Sequence, residues 1–258
     1  MFSEQFAFRL PATINFVGGG GKTALILKLA EEYSSYLPVI YTTTVRIHPP
    51  HPSRGLALVA CDDPDLLRLF LEGVARNCLN SVRTFVITRT LMAPGLLRGV
   101  DPDFAQSLDP GSFPIVLNEA DGARSISLKM PRAGEPVLMA GADYLVPVIG
   151  LDCINKPLGP KTLFRWEAAA RRYSLRPGQL LSPELAASLL LHREGVCKDW
   201  KEGMQILPYI NKADTARQEK SARALASALL QNEVFPVQRV VWGSLRKNRV
   251  NSITAGTI

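Results

Sequence analysis

The sequence predicts an α/β fold: a three-layer, P-loop NTPase-like domain on a mainly parallel sheet. Three observations carry that prediction. Short apolar, β-branched runs alternate with helical stretches along the whole chain. The first of these runs, Ile14 to Val17, feeds Gly18-Gly19-Gly20-Gly21-Lys22-Thr23 and then the helical-looking stretch Ala24–Ser34. Late in the chain another apolar run ends in Asn211-Lys212-Ala213-Asp214. The expected organisation is a single domain over residues 1–258, with a loose tail from about 246.

Composition narrows the class further. An apolar content of 47% with 21% charge suits a globular chain that buries a good core. No run approaches the ~18 consecutive apolar residues of a membrane span. The opening Met1-Phe2-Ser3-Glu4 has neither the charged nor the apolar region of a secretion signal. A cytoplasmic protein without a membrane partner is expected. Cys61, Cys78, Cys153 and Cys197 are scattered and show no ligand spacing, so they read as reduced thiols. The net charge of +7 favours anionic partners, of which nucleotide phosphates and an anionic cofactor both qualify. Aromatic and basic residues are not interleaved as a single-strand binder requires, so nucleic acid is not expected.

The glycine stretch has the order strand, loop, helix that a phosphate-binding loop needs. Glycines carry no Cβ, so their backbone N–H groups can turn toward an anion, and the helix start adds unpaired donors. On that reading Gly18, Gly19, Gly20 and Gly21 cradle phosphates and Lys22 reaches the β- and γ-phosphates. The Thr23 hydroxyl sits on Mg²⁺. Phe16 stands where the usual pattern begins with glycine, so the match is a variant.

Leu37–Tyr41 reads as a second buried strand ending in Thr42-Thr43-Thr44. Hydroxyls at the carboxyl end of a strand are placed for a ligand, and threonine is equally a plain strand former. Thr43 and Thr44 are therefore substrate or phosphate candidates. His48-Pro49-Pro50-His51-Pro52 is a proline-rich loop whose two histidines have no third ligand nearby. Leu56–Ala60 is a strand, and Asp63-Pro64 opens a helix to about Asn77. Val82–Leu91 is a strand, and Met92–Gly111 a loop with a short helix.

The run Phe113–Leu117 delivers Glu119 and Asp121 at its end, followed by Gly122. Behind a phosphate loop this is where a carboxylate orders Mg²⁺ and its waters. Either residue fits, with Glu119 preferred for its place at the strand end. Arg124 and Lys129 add positive charge beside the site, and Arg165 comes from the helical-looking Thr162–Tyr173. All three are phosphate or substrate candidates.

Tyr144–Ile149 is a further strand, and Ser182-Pro183 opens a helix. Met204–Ile210 is a strand with an awkward Pro208, followed by the N-K-x-D run. Asp214 can accept from both N1–H and the N2 amine of guanine, a contact adenine cannot offer. The Lys212 stem would lie along the base and Asn211 would tie the loop together. A simple turn is the competing reading, since Asn and Asp are good turn formers. Thr215–Asn232 is an amphipathic helix and Val234–Trp242 a last strand. The strand ends in Gly243-Ser244-Leu245, a small polar loop well placed to meet a purine.

These stretches, with Glu119-Ala120-Asp121-Gly122-Ala123-Arg124, Glu135-Pro136 and Ile149-Gly150-Leu151-Asp152, together resemble the YqeC family. Its members are described as accessory proteins of selenium-dependent molybdenum hydroxylases, or selenium cofactor biosynthesis proteins. The resemblance spans nearly the whole chain. It implies a phosphate-loop NTPase fold and a part in maturing a molybdenum enzyme, with the enzyme or its pterin cofactor as partner.

The expected function is a Mg²⁺-dependent nucleoside triphosphatase, GTP preferred over ATP, with Lys22, Glu119 and Asp121 catalytic. Thr23, Glu119 and Asp121 are the metal candidates. Two alternatives stand beside it. One is an ATP-dependent phosphotransferase whose small anionic acceptor is held by Arg124 and Lys129. The other is a cofactor-carrying chaperone that hydrolyses nothing.

Overall fold

A computed structural model of the chain describes residues 1–49, 56–77, 84–89, 91–92 and 95–256. His51, Cys78 and positions 82, 83 and 90 of the expected Val82–Leu91 strand lie outside the described residues.

The chain begins with α1 (Phe2–Phe6), β1 (Ala12–Gly18), α2 (Lys22–Tyr33), β2 (Val39–Thr43), β3 (Leu56–Ala60), α3 (Pro64–Asn77) and β4 (Thr84–Thr88). A small ladder of β5 (Leu91–Met92) and β6 (Leu96–Leu97), then a 3₁₀ turn at Phe104–Ser107, occupies the stretch read as loop. Next come β7 (Ile115–Glu119), β8 (Leu128–Lys129), β9 (Tyr144–Gly150), β10 (Leu163–Phe164), α4 (Trp166–Tyr173) and α5 (Pro183–Leu190). β11 (Gln205–Ile206), β12 (Tyr209–Asn211), α6 (Ala216–Leu230), β13 (Arg239–Ser244) and β14 (Arg249–Thr254) complete the order.

Ten strands form one sheet in the order β14-β13-β12-β9-β1-β7-β2-β4-β3, with β11 also on β9. All its pairings are parallel except β13 with β14. Alternation along each strand sorts the side chains into two apolar layers. Ile14 and Phe16 of β1, Val39 and Tyr41 of β2 and Ile115 and Leu117 of β7 pack with Leu25, Ile26 and Leu29 of α2 and the phenylalanines of α1. Val17, Leu145, Ile149 and Ile210 face the other way, toward α4, α5 and α6. Ile40, Phe85 and Val116 meet Leu67 and Leu71 of α3 on that same side. Helices thus cover both faces, the three-layer α/β arrangement expected for a P-loop-like fold. β1, at the middle of the sheet, aims its carboxyl end at the glycine loop. Among the described residues no helix is long and apolar enough to cross a membrane.

Four differences from the sequence reading have physical causes. The expected loose tail is partly a strand: β14 pairs with β13 from Arg239↔Thr254 to Ser244↔Arg249. Asn248 closes the intervening turn at φ 50°, a conformation asparagine tolerates. The strand expected over Met204–Ile210 breaks at Leu207-Pro208, where proline cannot donate to the ladder, yet both halves stay on β9. The helix expected from Thr162 starts only at Trp166, because β10 and a left-handed Arg165 (φ 64°) precede it. At the other end of the chain, α1 forms because Phe2 and Phe6 bury against Tyr209 and the sheet. Two expected helix starts stand as read: Ser182 Oγ accepts from Leu185 N at 3.2 Å, and Thr215 Oγ1 from Gln218 N at 3.3 Å.

Candidate functional site

The site is the row of loops at the carboxyl ends of β1, β7, β2, β9, β12 and β13, where open α/β sheets bind ligands. Its first wall is the glycine loop. Gly18, Gly20 and Gly21 have φ of +93°, +79° and +122°, which only glycine adopts without strain. Packing demands glycine as well. A Cβ would come within 2.2 Å of Ile126 O at Gly19 and within 2.3 Å of Gly150 N at Gly20.

Three of the loop N–H groups, which the sequence reading allowed to turn toward an anion, are instead bonded within the protein. Gly18 N donates to Asp121 Oδ2 (2.9 Å), Gly19 N to Val148 O (2.9 Å) and Gly20 N to Ile126 O (3.2 Å). Leu25 is the first residue of α2 to donate a helical bond, to Gly21 O at 3.0 Å. The N–H groups of Lys22, Thr23 and Ala24 precede that ladder. They are the donors, at the positive end of the helix, that a phosphate can use.

Beneath the loop lies a dry network of charges. Lys22 Nζ donates to Gly18 O (2.6 Å) and lies 3.0 Å from Asp121 Oδ1 and 3.8 Å from Glu119 Oε1. Lys129 Nζ contacts Asp121 Oδ2 (3.2 Å), Glu135 Oε2 (2.9 Å) and Gly122 O (2.8 Å). Arg165 closes on Glu135 with both terminal nitrogens, at 2.8 and 3.3 Å. Burial would raise the Glu135 carboxyl, but the hydrogen bonds and charge of Arg165 and Lys129 outweigh it and hold it at about 2.

The two candidate carboxylates therefore have different surroundings. Asp121 is fully buried between two lysines and the Gly18 N–H, an anchor for the loop. Glu119 Oε2 accepts from Thr23 Oγ1 (2.9 Å) and from Tyr41 Oη (3.1 Å). Burial pushes the Glu119 carboxyl up from its ordinary value, against the pull of Lys22, Thr23 and Tyr41. Thr23 and Glu119 fit a hard cation: two neighbouring oxygen donors at the start of a helix. Among the described residues no group of three or more His, Cys, Asp or Glu side chains could hold a metal alone. A cation here would complete its shell with phosphate and water, as Mg²⁺ commonly does.

Several candidates are committed to the protein itself. Thr43 Oγ1 donates to Glu119 O at 2.8 Å, and Thr44 Oγ1 to Val137 O. These hydroxyls brace strand ends against the neighbouring chain. Lys129 and Arg165 spend their donors on Asp121, Glu135, Gly122 O and Met130 O. Arg124 is exposed, its guanidinium over the Phe164 ring at 5.7 Å to the centroid.

The N-K-x-D run sits beside the glycine loop. Asn211 Nδ2 donates to Gly20 O at 2.8 Å, and Asn211 Oδ1 accepts from Tyr209 Oη (3.3 Å) and Leu245 N (3.5 Å). One side chain thus ties the glycine loop, β12 and the turn after β13. Lys212, left-handed at φ 67°, reaches Asp152 Oδ2 (2.8 Å) and Ser127 Oγ (2.9 Å). Ser127 also donates to Asp152 Oδ1 at 2.5 Å. Burial works to raise Asp152, but its bonds to Lys212 and Ser127 and the Lys212 charge win and lower it. Asp214 Oδ1 accepts from Ser244 Oγ at 2.5 Å, and Arg246 Nη2 lies 3.2 Å from Asp214 Oδ2. Tyr41, Ser127, Asp152, Glu135 and Arg246 are the site residues that sequence reasoning left out. Asp152 and Glu135 lay inside quoted motifs, and that was their only signal.

The fold and this row of loops define the class: a three-layer, P-loop-like α/β protein. The chain belongs to the YqeC family, whose model, described as YqeC protein, matches residues 14–167. The resemblance carried by the motifs is thereby established. The chain is also 27% identical over 230 residues to "Uncharacterized protein YqeC" of Escherichia coli (strain K12), covering 88% of this chain and 86% of that one. No solved structure matches it.

Proposed function

We propose that this protein is a Mg²⁺-dependent nucleoside triphosphatase that prefers GTP and assists maturation or insertion of the cofactor of a molybdenum hydroxylase. The carrying observation is the 2.8 Å bond from Asn211 Nδ2 to Gly20 O. It sets the N-K-x-D run directly against the glycine loop, which supports reading the two as the base and phosphate ends of one nucleotide site. The triphosphate lies over the first turn of α2, and Lys22 exchanges its contact with Gly18 O for the β- and γ-phosphates. Thr23 and Glu119 would hold Mg²⁺, which when bound would supply positive charge beside the phosphate oxygens. Glu119 orients the attacking water. Such chemistry is mostly positioning and electrostatics, so no separate strong base is required.

The part in molybdenum and selenium cofactor maturation, with the hydroxylase or its pterin cofactor as partner, rests on the motif resemblance. A phosphotransferase reading draws less support, because Lys129, one of the two residues expected to hold its acceptor, is already engaged by Glu135 and Asp121. Calorimetric titration with GTP and ATP in the presence of Mg²⁺, on wild type and Lys22→Ala, tests the proposal. GTP should bind tighter than ATP, and the variant should lose most affinity for both. Lys22 is 4% exposed and bonded on two sides, so the variant should also melt lower. Unchanged affinity in Lys22→Ala ends the phosphate-loop reading. Equal GTP and ATP affinity moves the function to ATP.

A further inference from the structure

The turn between β13 and β14 is fastened over the base-reading loop by three basic side chains. Lys247 Nζ donates to Asp214 O at 2.6 Å, Arg249 Nη2 to Ala213 O at 3.2 Å, and Arg246 Nη2 pairs with Asp214 Oδ2 at 3.2 Å. The Asp214 carboxylate is thus occupied on both oxygens, by the Ser244 hydroxyl and by a guanidinium. The two occupants differ in freedom. Ser244 is fully buried and also accepts from Lys247 N at 3.0 Å, whereas the Arg246 side chain is 74% exposed.

Guanine contains the same chemical unit that Arg246 offers. Its N1–H, C2 and exocyclic N2 amine form a guanidine edge, with donors arrayed as on an arginine fork. We infer that the Arg246 guanidinium is an internal stand-in for the guanine edge, holding Asp214 until a guanine nucleotide displaces it. This rests on the guanine reading proposed above. The exchange replaces one set of donors by another, so the carboxylate is never left bare in a half-buried site. Adenine supplies an amine but turns the N1 lone pair toward the carboxylate, and cannot make the exchange evenly. A ligand with phosphates and no base does not enter the exchange at all.

The test is the affinity of GTP, ATP and inorganic tripolyphosphate, with Mg²⁺, for wild type and Arg246→Ala. An exposed ion pair is a weak competitor, so GTP should bind about two- to fivefold tighter to the variant. Tripolyphosphate should bind both proteins equally. In an Asp214→Asn background, where Arg246 has no carboxylate to hold, removing it should leave xanthosine triphosphate affinity unchanged. If wild type prefers GTP but Arg246→Ala binds it equally or more weakly, the stand-in role is wrong and the guanine reading survives. A gain for tripolyphosphate equal to that for GTP also overturns it, since removing any nearby cation would then matter. If wild type binds GTP and ATP equally, the guanine reading falls and takes this inference with it.

Discussion

The proposed phosphate end and the proposed base end of the site are built on opposite electrostatic plans. At the phosphate end, Lys22, Asp121 and Lys129 are buried and share one another's bonds, with Glu119 and Glu135 at the margins. At the proposed base end, Asp214 and Asp152 are each met by a partly exposed cation. In a dry network each charge is another's only solvent, so removing one strands its partners. In a wet pair water substitutes for the lost partner at little cost. The phosphate end should therefore resist single substitutions, while the base end should accept them and change what it recognises.

The largest expected effect tests the first half of that contrast. Asp121→Asn keeps the shape and an acceptor for Gly18 N but removes the charge between Lys22 and Lys129. Breaking a buried pair in this way costs about 3–5 kcal/mol. Denaturant unfolding should show that loss, together with loss of triphosphate binding as the loop relaxes. A variant as stable as wild type would mean that water enters the network and the two ends are alike.

Next in size is Asp214→Asn, which should leave folding nearly unchanged. An amide donor suits xanthine, whose 2-position is a carbonyl, and offends guanine. Mispairing costs on the order of 2–3 kcal/mol, or about 30- to 150-fold in relative affinity. Competition among GTP, ATP and xanthosine triphosphate measures it. A large stability loss without a change of preference would place Asp214 with the structural carboxylates.

Glu135 sharpens the comparison through pH. Its folded value of about 2 lies below its ordinary 4.5, so the unfolded chain binds the proton more readily. Its stabilisation is complete above the ordinary value and is lost as pH falls from there toward 2. Glu135→Gln should flatten that part of the stability curve and be the less stable protein at neutral pH. Unfolding titrations between pH 2 and 7 check both.

Order along the chain was the legible part. Strand, glycines, Lys-Thr and helix cannot easily be arranged otherwise, and alternating apolar runs with helices between them imply a parallel sheet. Asn211 as a tie was legible for the same reason, because its motif has a fixed geometry. How the two carboxylates divide their surroundings was not. Glu119 and Asp121 differ only in what lies above them, and Lys129 reaches Asp121 from beyond an intervening loop. Thr43, Thr44, Lys129 and Arg165 looked available because a sequence does not say which carbonyls and carboxylates need partners. The stretch from about 246, expected to be a loose tail, concealed both the β13–β14 turn and the start of β14. Tyr41 read only as the end of a buried strand, and its ring is buried there; only the structure puts its hydroxyl on Glu119.

That hydroxyl gives the smallest effect and the finest test. Tyr41→Phe deletes one donor to Glu119 Oε2 and keeps the ring in its apolar surroundings. The loss in stability should be about 1 kcal/mol. The more telling readout is the pH dependence of Mg²⁺-dependent hydrolysis. On the proposed reading Glu119 must be ionised to serve a cation, and burial already pushes its carboxyl up from its ordinary value. The Tyr41 bond favours the ionised form, so without it the carboxyl rises further and the acid limb of the rate profile moves to higher pH. The same raised value makes the native state bind its proton more tightly than the unfolded chain does. Ionisation of Glu119 therefore lowers stability as pH rises, and Glu119→Gln should remove that slope while abolishing Mg²⁺ dependence. If Tyr41→Phe loses stability with its acid limb unmoved, the hydroxyl only fills its site. Glu119 would then be held by Thr23 and Lys22 alone.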